Sequence, residues 1–152
     1  MNDKVKRAKE LFLEGYGCAQ SVLLAFQEEL NINKDTAVLI ASSFGGGMGR
    51  LREVCGCVSG MFMAAGLKKG PLNPKDLKAK EEHYRLIQSL AEDFKKETGS
   101  IICRELLGLP ANSKSAPAPQ PRTQEYYKKR PCPDMVALAA GILERRLFSE
   151  NK

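Results

Sequence analysis

The feature that most restricts the fold is a helical repeat that recurs along most of the chain, with no period-2 alternation to compete with it. Val5, Ala8, Leu11 and Phe12 fall on one helical face. After the break Gly15-Tyr16-Gly17, the spacing resumes in Ala19, Val22, Leu23, Phe26 and Leu30 and runs to Asn31. Asn33, a good N-cap type, opens a third run with Ala37, Ile40, Ala41 and Phe44, closed by Gly45-Gly46-Gly47. A small-residue helix is expected from Cys55 to Ala65, ending at Gly66. Asn73 is expected to cap a long helix and Pro74 to begin it; its buried face is Leu77, Tyr84, Ile87, Ala91 and Phe94, and Gly99 ends it. Ser100 caps a short helix through Leu107, and Pro133 starts a last one with Val136, Ala140, Leu143 and Leu147. The fold class predicted is all-α: residues 1–152 form a single compact, bundle-like domain of about six helices.

Residues 109–131 break the pattern. Five of the eight prolines lie here, so the segment reads as a loop without a fold signal of its own. The expectation is that most of residues 111–130 can be removed with little effect on folding.

A chain of 152 residues can bury a sizeable core without disulfide staples. No apolar run approaches the ~18 residues of a membrane span, and the charged segment Met1 to Glu10 lacks a signal-peptide core, so the expected location is cytoplasmic. The formal charge is +6, but the basic residues are spread out and mostly alternate with Glu. The densest run, Lys128-Lys129-Arg130, falls in the expected loop beside Tyr126-Tyr127; a solvated surface explains it better than nucleic-acid binding.

The five cysteines are Cys18, Cys55, Cys57, Cys103 and Cys132. In a reducing compartment several cysteines point to metal or redox chemistry more often than to structural disulfides. Four of them fall at expected helix starts. Cys18 follows Gly17, Cys55 follows the glycine loop, Cys103 stands three residues past Ser100, and Cys132 precedes Pro133. A helix N-terminus carries partial positive charge and free N–H donors, so it favours thiolate, the form that attacks disulfides and binds metals. The four are expected to converge, with at least one pKa well below ~8.5. Cys55 is the first choice, because the glycine loop should leave it accessible and Arg50 and Arg52 lie near. Cys57 reads more readily as a packing residue.

These residues carry a resemblance. Gly17-Cys18-Ala19-Gln20, Phe44-Gly45-Gly46-Gly47-Met48-Gly49, Cys55-Gly56-Cys57-Val58-Ser59-Gly60, Cys103-Arg104-Glu105-Leu106-Leu107-Gly108 and Cys132-Pro133 follow in order over roughly residues 3–148. The chain resembles the C_GCAxxG_C_C family, which has four characteristic cysteines and a CGAxxG motif. The resemblance implies redox activity but supplies no substrate. One departure is that the alanine of CGAxxG is Cys57 here, which leaves open whether a fifth sulfur joins the site.

Other motifs are weaker. Gly45 to Gly49 lacks the preceding strand and the Lys-Ser or Lys-Thr of a phosphate loop, and reads as close backbone packing beside Cys55. Gly56, Gly60 and Ala64 form one helical stripe, best explained by a closely packed neighbouring helix. His83 lacks a partner at ligand spacing and reads as a surface residue. Neither Cys-x-x-Cys nor Cys-x-x-Cys-His occurs, which argues against a thioredoxin-type motif and covalent haem.

Three functional readings remain. Cys18, Cys55, Cys103 and Cys132 carry thiol–disulfide or electron-transfer chemistry, as in an oxidoreductase. Alternatively the same four, with Cys57 as a further candidate, hold zinc or an iron–sulfur cluster. In the third, they pack the core of an interaction module. The expected partner is an unidentified redox partner, with a homo-oligomer open, no nucleic acid and no membrane span.

Overall fold

The computed structural model describes residues 3–149. Among them are α1 (Asp3–Leu13), α2 (Cys18–Ala25), α3 (Gln27–Leu30), α4 (Lys34–Ala41), α5 (Gly56–Lys69), α6 (Leu77–Thr98), α7 (Cys103–Leu106), α8 (Gln124–Lys129) and α9 (Cys132–Leu143). Six of the nine have eight or more residues, and no strand is described. The fold is all-α, as the helical repeat predicts. None of these helices is long and apolar enough to cross a membrane.

Helices α1, α2, α5 and α9 pack on one another, with α4 against α2 and α6 along α5 and α9. Phe12, Leu23, Phe26, Met61, Leu90, Phe94 and Ile142 are fully buried at the centre. Each such side chain contributes roughly 1.5–3 kcal/mol through removal from water. The Gly56/Gly60/Ala64 stripe is where α5 meets α2. A Cβ on Gly60 would lie 2.6 Å from the carbonyl oxygen of Ala19. The mid-helix glycine is therefore required by the neighbouring helix, as expected, and it sets how closely Cys18 approaches α5.

Several boundaries differ from expectation for local reasons. Asn33 does cap α4, accepting from the Thr36 amide at 3.0 Å. Asn73 instead accepts from the Lys75 amide, and Asp76 caps α6 through the Ala79 amide. The run from Ala19 to Leu30 divides at Phe26, whose ring stacks on Phe148. Helix α5 continues through Gly66 to Lys69. Helix α7 begins at Cys103 after Ile102; the hydroxyl of Ser100 accepts from the Ile102 amide and donates to Glu105, two residues earlier than a cap.

Leu77 and Tyr84, expected in the buried face of α6, are 74% and 60% exposed. The periodicity locates the apolar face correctly, but its large side chains in the first turns of α6 stay exposed; Leu86 and Ile87 are partly buried and Leu90 and Phe94 fully. His83, expected at the surface, is half-buried, with its Nδ1 enclosed and without a hydrogen-bond partner.

The largest correction concerns residues 109–131. This segment contains α8, capped by the Thr123 hydroxyl, and Lys128-Lys129-Arg130 lies at its end rather than in a loop. It also straps the molecule. The Ser115 amide donates to the Arg50 carbonyl at 2.9 Å, and Arg50 Nε donates to the Ala116 carbonyl at 2.5 Å. Arg122 donates to the carbonyls of Phe12 and Tyr16 at 2.6 and 2.9 Å, its guanidinium stacked over the Phe12 ring. Arginine-to-carbonyl contacts of this kind have no sequence periodicity, which is why the strap reads as an empty loop. The expectation that most of residues 111–130 is dispensable rested on that reading, and these contacts remove its basis.

Candidate functional site

The chain delivers four cysteines to four helix starts. Cys18, Cys103 and Cys132 are the first residues of α2, α7 and α9, and Cys55 is the residue before α5. Their local causes differ. Gly17 is extended and ends the α1–α2 turn, Pro133 fixes the first turn of α9, and Cys55 and Cys103 are set side by side by a pair of backbone links. In those links the Cys55 amide donates to the Ile101 carbonyl at 2.8 Å and the Cys103 amide to the Glu53 carbonyl at 2.6 Å, flanking the antiparallel bridge between Val54 and Ile102.

All four line one cavity of about 370 Å³ beneath the strap. Cys18 and Cys132 are half-buried, whereas Cys55, Cys57 and Cys103 are buried. The accessibility expected for Cys55 is not seen, because it is 7% exposed. The thiols are electrostatically coupled: Cys132 and Cys57 act on the ionisation of Cys18, and Cys55 acts on that of Cys57. Cys103 takes Arg52 as its partner, whose Nη1 donates to Sγ at 3.5 Å.

The electrostatics single out one sulfur. The Cys18 thiol is held well below its ordinary value by hydrogen bonds from Cys132 and then Cys57; burial opposes them, and Arg122 and the residue's own backbone N–H assist. Every proton that Cys132 and Cys57 supply to Cys18 must be kept, so both of those thiols are pushed up, with burial adding to the effect. Cys103 is pushed up by burial, which outweighs Arg52. The helix start contributes at Cys18, but neighbouring thiols contribute more.

The glycine loop builds one wall. Gly46, Gly47 and Gly49, together with Met48, Arg50 and Arg52, all have positive φ. At Gly47 a Cβ would lie 2.6 Å from Cys103 Cβ and 2.8 Å from Arg52 Cα, so only glycine lets the loop pass Cys103. The close packing expected beside Cys55 is against Cys103 instead. Left-handed backbone at Arg52, a residue 4% exposed, turns its guanidinium inward to Cys103 and to Ser115 Oγ at 2.8 Å.

A family model described as "Putative redox-active protein (C_GCAxxG_C_C)" matches residues 16–146. The chain belongs to the C_GCAxxG_C_C family. No curated protein and no solved structure gives a significant match. The matched span includes every cysteine and the strap. In this member Cys57, standing where the CGAxxG motif has alanine, lies under the cavity floor in contact with Cys18 and Cys55 rather than lining the cavity. Among the described residues no group of three or more His, Cys, Asp or Glu side chains is arranged to hold a metal ion. The zinc and iron–sulfur readings therefore gain no support from the geometry of the donors.

Sequence reasoning missed the arginines of the strap. Arg122 and Arg130 line the cavity and come from a segment read as a loop. The signal that could have found them is compositional: Arg122 follows Pro121, and Thr123 is a good N-cap type three residues before Tyr126.

Proposed function

We propose that the protein is a dithiol oxidoreductase in which Cys18 is the attacking thiolate and Cys132 the resolving thiol. The observation that carries this reading is that two half-buried thiols, Cys18 and Cys132, line the same cavity from two helix starts; the lowered Cys18 thiol agrees with it. Thiol–disulfide exchange needs such a pair.

The reaction balances as follows. The Cys18 thiolate attacks one sulfur of a substrate disulfide; the substrate S–S bond breaks, a mixed disulfide forms on Cys18, and the first substrate thiolate leaves and takes a proton from solvent. Cys132 then loses its proton and attacks the Cys18 sulfur. The mixed disulfide breaks and the second substrate thiol leaves with that proton. Two electrons pass from the protein dithiol to the substrate, and the protein retains a Cys18–Cys132 disulfide. Cys57 supports the Cys18 thiolate, and Arg52 beside Cys103 contributes charge to the cavity wall.

Reduced, metal-free protein treated with one equivalent of a small disulfide should yield a Cys18–Cys132 linkage in peptide mapping. A linkage that excludes Cys18, or retention of five free thiols, counts against the proposal.

A further inference from the structure

We infer that the cavity over the cysteines selects a low-molecular-weight disulfide that carries carboxylates; this rests on the dithiol reading above and names its substrate class. The carrying observation is a charge imbalance. Arg50, Arg52, Arg122 and Arg130 line the cavity, and no Asp, Glu or Lys lines it among the described residues. The hydrogen bonds that these guanidiniums make go to neutral groups. Arg50 donates to the Ala116 carbonyl, Arg52 to Ser115 and to the Cys103 thiol, Arg122 to two carbonyls, and Arg130 to Gln120 Oε1 at 2.7 Å. Carbonyls and amides orient a guanidinium without cancelling its charge. The arginines also act on one another: Arg50 is pulled below its ordinary value by burial and then by Arg52 and Arg130.

One thiolate at Cys18 offsets only part of this charge, so the cavity stays positive when the protein is ready to react. An anion entering it gains from four fixed cations within a partly enclosed space, where screening is weak. Arginine presents a planar fork suited to carboxylate, and Arg50 and Arg130, whose hydrogen bonds are solvent-exposed, are the pair at which such a group can arrive. The strap makes the cavity too small for a protein loop to enter folded: about 370 Å³ suits a small molecule. The chemistry supplies the rest. A dithiol that ends as a disulfide needs an oxidant that accepts two electrons and two protons, and a disulfide bearing carboxylates does so while matching the charge.

The test uses three symmetric disulfides, dithiodipropionate (anionic), hydroxyethyl disulfide (neutral) and cystamine (cationic), against reduced, metal-free protein. Each oxidation rate is divided by that of mercaptoethanol with the same disulfide, which cancels leaving-group differences. At low salt the anionic reagent should react at least about tenfold faster than the cationic one on this scale, and the advantage should shrink as salt rises. Arg50→Gln and Arg130→Gln should each lower the ratio of anionic to neutral rate; the ratio within one variant is insensitive to how much of it is folded. Equal normalised rates, or preference for cystamine, would overturn the inference and leave the dithiol reading standing. Failure of all three reagents to oxidise the protein would overturn both.

Discussion

Cys18 and Cys103 begin two helices that face the same cavity, and a helix start by itself favours thiolate at both. Their sulfurs nevertheless diverge. Cys18 is held low because two thiols donate to it; Cys103 is pushed up because burial outweighs the one guanidinium at 3.5 Å. The difference teaches that the helix end places the sulfur and that the donors across the cavity decide its charge. It also explains how a chain with five cysteines could use one nucleophile. A proton donor to Cys18 cannot itself be ionised, so activation of one thiol suppresses its neighbours.

The largest expected effect that would break this comparison is loss of Cys18 itself. Cys18→Ser should remove the fast phase of alkylation at pH 7 and leave Cys57, Cys103 and Cys132 at least about tenfold slower, as protonated thiols are poor nucleophiles. If Cys103 or Cys55 carried the fast phase instead, the assignment would fail. Next is Cys132→Ala, which removes the leading donor. The Cys18 titration should move upward, Cys103 should keep its own, and a mixed disulfide with substrate should last longer because the assigned resolving thiol is gone.

A third substitution acts on the scaffold alone. Gly60→Ala would place a methyl 2.6 Å from the Ala19 carbonyl oxygen, next to Cys18 in chain and space. It should cost about 1–3 kcal/mol in thermal or denaturant unfolding, although alanine is the better helix former. An increase in stability would mean that α2 and α5 are farther apart than described. The smallest effects sharpen the contrast between the two sulfurs. Arg122→Gln should raise the Cys18 titration by less than Cys132→Ala does and leave Cys103 unchanged; Arg52→Gln should do the reverse, raising Cys103 and sparing Cys18.

The lowered thiol also has a consequence for stability. Cys18 has a lower pKa folded than unfolded, so its contribution is present above the unfolded value of ~8.5 and is lost as pH falls through the lowered folded value. Stability of the reduced protein relative to Cys18→Ser should therefore rise with pH across that window, measured by denaturant midpoints. A flat difference would mean that the thiolate gains nothing from its donors.

The helical core and the placement of the four cysteines were legible in the sequence, because both follow local rules. Apolar spacing gave α1, α2 and α9, and Gly17, Asn33 and Pro133 marked where helices start. What was not legible depends on contacts distant in sequence. Leu77 and Tyr84 lie on the apolar face of α6, yet no spacing rule says that its first turns go uncovered. The strap depends on Arg122 reaching Phe12 and Tyr16, and on Arg50 reaching Ala116. Likewise the choice of Cys55 as the most reactive cysteine followed from a flexible glycine loop. That loop turned out to be a packed wall, closed against Cys103 by Gly47.

The most direct test of the central claim is the pH dependence of alkylation at each cysteine, followed by mass spectrometry in reduced protein after metal analysis. Cys18 should titrate well below ~8.5 and ahead of Cys57, Cys103 and Cys132, which are protected to higher pH. Five sites that titrate together near ~8.5, or Cys103 reacting before Cys18, would contradict the account and return these cysteines to the role of packing residues.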